Sequence, residues 1–226
     1  MITTGTVKKF GELISEAEKR IIDSIKDGRV ETEPSITDRL MRQIESVFEE
    51  NSSQEGIIFK ARSLRDRGKN ASESKFGADF CGVLNVDLRK FKRTKGFLTQ
   101  AKIEGNGIEV KNVRYRGLTT VSFRQNSEFR RLSGQLDQML SVTPDSFLIV
   151  YSEKGFVVVP ASSVAGLKSD GVLYGKPLDR FFKEYLMCFI GDHRLTAYDD
   201  TSLEGLRQLT NSRTAIIFQL FDKTVY

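Results

Sequence analysis

The sequence predicts an α/β fold in which amphipathic helices pack on a central sheet. Residues 6–26 and 127–141 carry apolar side chains at helical spacing. Residues 77–104 have the pattern of two strands joined by a basic connection, and residues 146–153 contain an unbroken apolar run typical of a strand buried on both faces. With 226 residues, the chain is expected to form one compact domain.

Composition places the chain among ordinary globular proteins. Hydrophobic residues make up 39% and charged residues 29% of the sequence. No apolar run approaches the roughly 20 residues that span a bilayer, and the N-terminus lacks the apolar region of a signal peptide. Cys81 and Cys188 do not indicate a disulfide framework. We therefore expect a cytoplasmic protein that is not bound to a membrane.

The first 61 residues predict two helices and a strand. The helix over residues 6–26 is expected to pack on the core and to contribute to a homodimer. A second helix follows Pro34, with Ser35 and Asp38 resembling a capping arrangement. Residues 56–61 read as the first core strand.

Beyond the hairpin, the pattern predicts further elements of both kinds. Residues 105–123 indicate a loop and an extended segment. A second strand at 155–164 follows the strand at 146–153, and a helix at 178–190 and a strand at 214–221 complete the chain.

Three polar residues stand in the hairpin where apolar ones are expected. Asp79 opens its first strand, and Gln100 and Lys102 lie near the end of the second. Side chains alternate along a strand, so Gln100 and Lys102 share one face and Ala101 lies on the other. Polar groups that are half-buried need partners. A divalent metal ion and a phosphate would supply them.

This pattern resembles the PD-(D/E)XK nuclease superfamily. That family has a helix contributing a Glu, a hairpin with an Asp on one strand and Glu/Gln-x-Lys on the next, and then a further helix and strand. Asp79 matches the Asp and residues 100–102 match the second motif, in the Gln form similar to Mrr-type restriction enzymes. The resemblance covers about residues 31–164. It implies a restriction-endonuclease-like core with a mixed central sheet flanked by helices, an N-terminal helical extension (1–30) and a C-terminal helix and strand elaboration (165–226).

The resemblance also implies a site. Glu33, in the run Glu-Pro-Ser-Ile-Thr, is the candidate helix-borne acid, with Glu45 as second choice; alternatively, Glu33 only interacts with the helix dipole. Mg²⁺ or Mn²⁺ would be held by a set of three residues, Asp79, Gln100 and Glu33, and Lys102 completes the catalytic residues. Gln135 is a candidate supporting residue on the helix 127–141, and a cap or surface role is the alternative.

Basic residues surround this hairpin in three groups. The net charge of +5 alone is a modest bias toward nucleic acid. Its distribution favours a surface that follows phosphates, although solvated loops would show the same composition. The predicted DNA-binding residues are Lys90, Lys92, Arg93, Lys95, Arg114, Arg116 and Arg130.

Together these features predict a Mg²⁺-dependent endonuclease that hydrolyses DNA, of restriction or phage-defence type, working with a larger defence-system partner. The alternatives are a nuclease-like fold that binds nucleic acid without cutting it and an interaction protein that binds none. His193 is the only histidine, which excludes HNH chemistry, and with Cys188 and Asp192 it makes too small a set for a zinc site.

Overall fold

A ten-stranded sheet runs through the protein, with helices on both of its faces. The structure is a computed structural model that describes residues 2–29, 32–65, 77–115 and 118–223. The described helices are α1 (Thr4–Lys26), α2 (Glu33–Glu50), α3 (Ser127–Val142), α4 (Ala161–Ala165), α5 (Leu178–Leu186) and α6 (Asp200–Leu209). The strands are β1 (Ser53–Gln54), β2 (Ile57–Arg65), β3 (Ala78–Leu88), β4 (Phe91–Ile103), β5 (Ile108–Tyr115), β6 (Leu118–Phe123), β7 (Ser146–Tyr151), β8 (Val157–Pro160), β9 (Gly171–Pro177) and β10 (Ser212–Asp222).

The sheet is mixed, in the order β1-β2-β10-β3-β4-β7-β8-β9-β6-β5. Strand β3 runs antiparallel to β4 and parallel to β10, and β4 runs parallel to β7. The remaining neighbours are antiparallel. The predicted α/β class, with a mixed sheet flanked by helices, is confirmed.

Each face of the sheet has its own apolar core. One core joins the sheet to α1, α2 and α5 and is rich in phenylalanine; Phe97 lies in it beside rings of α5. The other joins the opposite face to α3, α4 and α6. The predicted apolar stripe of α1 is buried within the chain, against α2 and α5. Helix α1 therefore packs on the core, as its apolar stripe predicted.

Several predicted boundaries were wrong. The strand predicted at 155–164 ends at Pro160, where the ring interrupts the strand and α4 begins. The helix predicted to reach residue 190 ends at Leu186, and Cys188 takes a left-handed conformation with φ of 67°. Helix α2 is capped by Thr32, whose hydroxyl accepts from the Ser35 amide at 3.4 Å, and not by the pair Ser35 and Asp38.

The C-terminal strand lies in the middle of the sheet. Phe218 of β10 pairs with Leu84 on one side and with Ala61 on the other. Residues 212–222 thus separate β2 from β3 and belong to the central sheet. The sequence had assigned them to a C-terminal elaboration packed on the core. Among the described helices, none is long and apolar enough to cross a membrane.

Candidate functional site

Three elements meet where β3 begins and β4 ends. In the β3–β4 register Phe80 pairs with Thr99, so Asp79 stands across from Gln100. Helix α2 begins at Glu33, beside the same strand ends. Most of α2 packs on the opposite face of the sheet from α3. Its first turn, however, lies at the end of β3 and β4, where it lines the same cavity as α3. The structure thus brings Glu33, Asp79, Gln100 and Lys102 together.

Asp79 and Gln100 are held by direct hydrogen bonds. Asp79 Oδ2 accepts from Gln100 Nε2 at 2.6 Å and from the Ala101 amide at 2.7 Å. The amide of Gln100 therefore turns its nitrogen toward the carboxylate and its oxygen away from it. Gln100 is only 3% exposed, and its Oε1 has no hydrogen-bond partner among the described residues. A buried carbonyl without a partner costs about 1–3 kcal/mol, so this atom is available to a water molecule or a ligand that enters the cavity.

Lys102 and Glu33 form an ion pair beside it. Lys102 Nζ lies 2.7 Å from Glu33 Oε2, and the Ile103 amide donates to Glu33 Oε1 at 3.3 Å. Both side chains keep some exposure, 21% for Lys102 and 31% for Glu33. The end of β4 thereby fixes the first carboxylate of α2, and Lys102 stays accessible to a ligand that enters the pocket.

These four side chains line a cavity of about 170 Å³. Helix α3 adds Glu128, Arg131 and Gln135 to its lining, and β10 adds Arg213. Gln135 Oε1 is a second buried carbonyl without a partner among the described residues. The sequence thus placed Gln135 at the edge of an inward face, and the structure places it in the cavity.

Arg213 is a lining residue that sequence reasoning missed, and Glu128 is another. Arg213 Nη2 donates to the Pro34 carbonyl at 3.1 Å, and it lies 3.6 Å from Asp38 Oδ1. It stands in the strand that ends the described chain, far in sequence from the hairpin. Only the position of β10 beside β3 brings it to the site, and no local pattern indicated that pairing.

Burial raises the pKa of Asp79 above its usual value. The Ala101 amide and the charges of Arg213 and Lys102 oppose this shift, while Glu33 adds to it. A carboxyl group in this state holds its proton to a higher pH than an exposed one. A cation bound beside it would favour the ionised form.

The donor atoms fit a hard divalent cation. The carboxylates of Asp79 and Glu33 and the amide oxygen of Gln100 are the oxygen ligands that Mg²⁺ and Mn²⁺ take. The described residues include no group of three or more His, Cys, Asp or Glu side chains arranged for a metal. This set would therefore combine two carboxylates with a neutral oxygen, and Glu33 would share its charge with Lys102.

Glu45, the second choice for the helix-borne acid, lies away from the cavity. It stands twelve residues beyond Glu33, about 18 Å along the helix. Its Oε1 accepts a hydrogen bond from the Ser63 amide at the edge of β2. The geometry therefore favours Glu33 over Glu45.

The predicted DNA-binding residues are spread over the molecule. Lys90, Lys92 and Arg93 lie at the tip of the β3–β4 hairpin, at the opposite end of these strands from Asp79. Arg130 is exposed on α3. Arg116 and the side chain of Arg114 lie outside what the structure describes.

Lys95 does not fit the expected interface. It is 1% exposed, and its Nζ donates to the carbonyls of Tyr185 and Ile190 while it lies 4.7 Å from the centre of the Tyr185 ring. Burial lowers its pKa. We therefore assign Lys95 to the core and exclude it from phosphate contact.

Two arginines of the third predicted basic group, which consists of Arg124, Arg130 and Arg131, lie nearer the site than the hairpin tip does. Arg131 lines the cavity itself. Arg124 lines a smaller neighbouring cavity that shares Glu33 and Lys102 with the first. Both are exposed, and neither forms an ion pair with another described residue. They are better placed than the hairpin tip to contact a phosphate at the site.

Comparisons with models of protein families, with curated proteins and with solved structures found no match to this chain.

Proposed function

We propose that this protein is a metal-dependent endonuclease that hydrolyses phosphodiester bonds in DNA, with a site of the PD-(D/E)XK kind. One observation carries the proposal: Glu33, Asp79, Gln100 and Lys102 meet in one cavity, where the buried Gln100 Oε1 has no partner among the described residues. These residues come from three separate elements, and each was a candidate from the sequence.

The order of elements supports the same function. Helix α2, strands β2, β3 and β4, helix α3 and strand β7 follow one another as the resemblance requires. The chain departs from the simplest form of that order by adding the β5–β6 hairpin before α3 and by inserting β10 between β2 and β3. Neither addition separates β3 from β4, which carry Asp79, Gln100 and Lys102.

Each residue has a role in hydrolysis. Asp79, Glu33 and the Gln100 oxygen would hold a Mg²⁺ or Mn²⁺ ion, which lowers the pKa of a bound water and offsets charge at the phosphate. Lys102 Nζ orients the attacking water and stabilises negative charge that develops on the phosphate oxygens. Arg131 and Arg213, on the cavity wall, add positive charge where the phosphate enters.

The amide at position 100 affects the metal stoichiometry. A neutral oxygen attracts a divalent ion less strongly than a carboxylate does, so we propose a single metal ion in this site. Gln135 Oε1 is placed to accept a hydrogen bond from a water in the cavity.

The proposed substrate is DNA, and the proposed role is restriction or phage defence. The exposed arginines Arg124 and Arg131, which line the two cavities at the site, support a phosphate-binding surface, and Arg130 is exposed beside Arg131 on α3. A homodimer and a larger defence-system partner remain predictions.

A second function is favoured by two observations. Lys102 already pairs with Glu33, and the described residues include no cluster of three acidic, histidine or cysteine side chains for a metal. A protein that binds nucleic acid without cutting it would show these same features, and metal binding separates the two functions.

Calorimetric titration with Mn²⁺ tests the proposal. We expect binding by the natural chain and at least a tenfold weaker affinity for Asp79→Asn, about 1.4 kcal/mol. Because burial raises the pKa of Asp79, protons compete with the metal ion for this carboxylate at a higher pH than for an exposed one, and the affinity should fall as the pH is lowered. Glu45→Gln, outside the cavity, serves as the control. Absence of Mn²⁺ binding at millimolar concentration, or equal affinity for Asp79→Asn, contradicts the proposal.

A further inference from the structure

The tip of the β3–β4 hairpin is a basic surface remote from the cavity. Leu88 lies nine residues beyond Asp79 along β3, which is a distance of about 30 Å at the rise of an extended strand. Lys90 and Arg93, at the tip, are exposed. No phosphate bound at Lys102 reaches them.

The register places part of this surface on the same face of the sheet as the site. Asn85 pairs with Thr94, and Asp87 pairs with Lys92. Side chains two residues apart share a face of a strand, so Asn85 and Asp87 lie on the same face as Asp79. Lys92 and Thr94 therefore lie on that side of the sheet as well, whereas Arg93, which pairs with Val86, lies on the other side. Helices α3, α4 and α6 cover the sheet face between the two ends, so a ligand that contacts both ends passes over these helices.

A cavity of about 450 Å³ opens between the hairpin tip and the segment after α5. Lys92, Arg93 and Thr94 line it from the hairpin, and His193 and Tyr198 line it from the other side. The Tyr198 side chain is 58% exposed, and His193 Nδ1 lies 3.3 Å from the Thr94 carbonyl. The lining combines cations, hydroxyl groups and an exposed ring, which are the groups that contact a nucleic-acid backbone.

At the hairpin tip, some charged side chains form ion pairs and others do not. Lys92 pairs with Asp87, and Arg194 pairs with Asp192. Lys90 and Arg93 form no ion pair with the described part of the chain. Their charges are therefore free to neutralise phosphates.

We infer that this hairpin tip is a second binding surface for the backbone of duplex DNA, about 30 Å from the cavity that holds Asp79. The identity of the ligand as DNA rests on the proposed function. At 3.4 Å per base pair, a duplex covers this distance in about nine base pairs. A longer duplex is therefore held at two places, and Lys90 and Arg93 supply the charge at the remote one.

Equilibrium binding in EDTA tests the inference independently of cleavage. The affinity for a 30-base-pair duplex, a length chosen as about three times the required span, is measured by fluorescence anisotropy over a range of NaCl concentrations. The double variant Lys90→Ala/Arg93→Ala should reduce the slope of log affinity against log salt by about 1.8, that is 0.9 per phosphate contact. The control Lys19→Ala/Lys26→Ala removes two exposed charges from α1 and should leave the slope unchanged.

Duplex length gives a second measurement. The natural chain should bind the long duplex more tightly than one of about ten base pairs, and the double variant should lose this preference. An unchanged slope together with an unchanged length preference overturns the inference, even if the protein cuts DNA. Conversely, a reduced slope supports the surface even if no metal-dependent cleavage is found, so the two proposals fail separately.

Discussion

At the scale of single residues, the site consists of polar atoms that lack partners or share them. Gln100 Oε1 and Gln135 Oε1 are buried in one cavity without hydrogen bonds from the described residues. Asp79 is half-buried with a raised pKa, and Lys102 divides its charge between Glu33 and the open cavity. Such groups reduce stability, and the proposed metal ion and phosphate compensate for them.

Changing Gln100 to Glu tests the role of the neutral oxygen. In the metal-free protein, Gln100→Glu replaces the hydrogen bond to Asp79 with repulsion between two carboxylates, so the melting temperature should fall. With Mn²⁺ present, the added charge should increase the metal affinity by about tenfold. Thermal unfolding with and without Mn²⁺ measures both effects. If this variant loses both stability and metal affinity, Gln100 has only a structural role.

The sequence pointed to three of these residues because their types were out of place, and it pointed to Glu33 through the resemblance of the run Glu-Pro-Ser-Ile-Thr to the entry of the family's core helix. Asp79, Gln100 and Lys102 interrupt apolar strands, and Glu33 precedes an amphipathic helix. Arg213 gave no such signal, since an arginine at the start of a strand is ordinary. Its role depends on a long-range pairing that local sequence does not specify.

At the scale of secondary structure, periodicity predicted the helices that bury one apolar stripe and the strands that contain one apolar run. Helices α1 and α3 and strands β7 and β10 are of this kind, and they lie within a few residues of the predicted bounds. Strand β9 was missed because its exposed face carries Val172 and Tyr174, and its pattern is therefore not an alternation of apolar and polar residues. Helix α6 was also missed; its charged and small residues obscure the short apolar stripe of Leu203 and Leu206.

Element length also explains the misplaced basic groups. Arg93 and Lys102 are only nine positions apart in the sequence. Because both lie on the extended strand β4, they stand near opposite ends of that strand. Lys95 was expected at the surface because lysine is rarely buried. Lys95 contacts the Tyr185 carbonyl in α5 and the Ile190 carbonyl after it. Both are far from Lys95 in sequence, so no local pattern indicated these contacts.

The contact between α1 and the turn after β7 provides a prediction on pH. Glu18 Oε1 accepts from the Phe156 amide at 2.6 Å, and burial raises the pKa of Glu18 to about 7. Because this pKa is raised on folding, the contribution of Glu18 to stability is complete below its unfolded pKa and is lost as the pH rises through about 7. Glu18→Gln keeps an acceptor for the amide but does not ionise.

Chemical denaturation at several pH values measures this effect. Between pH 5 and pH 8, the free energy of unfolding of the natural chain should fall by about 2 kcal/mol more than that of Glu18→Gln. Parallel curves for the two proteins would show that Glu18 does not ionise in this range.

At the scale of the whole molecule, the last described strand completes the sheet that positions the site. Strand β10 joins β2 to β3 and carries Arg213 into the cavity. The sequence predicted this strand but not its neighbours, because pairing partners distant in sequence leave no periodic signal. Strand β10 is therefore a structural part of the site.

Removing β10 should prevent cooperative folding. A chain ending at residue 211 loses four large apolar residues that are fully buried, Ile216, Ile217, Phe218 and Leu220. At roughly 1.5–3 kcal/mol each, their burial contributes about 6–12 kcal/mol, similar to the whole stability of a domain. A chain ending at residue 223 retains β10 and is the matched control. Circular dichroism during heating should show a cooperative transition for the control only; a cooperative transition in the shorter chain would mean that β10 is dispensable.

Cleavage of supercoiled plasmid DNA tests the central claim most directly. The natural chain and Glu45→Gln should nick or linearise the plasmid in Mg²⁺ or Mn²⁺ and leave it intact in EDTA. Asp79→Ala and Lys102→Ala should retain the fold, checked by circular dichroism, and should cut at least about 100-fold more slowly, because each removes a group that activates water or stabilises charge. Cleavage by both variants at the natural rate, or no cleavage by the natural chain with either metal, would contradict the account.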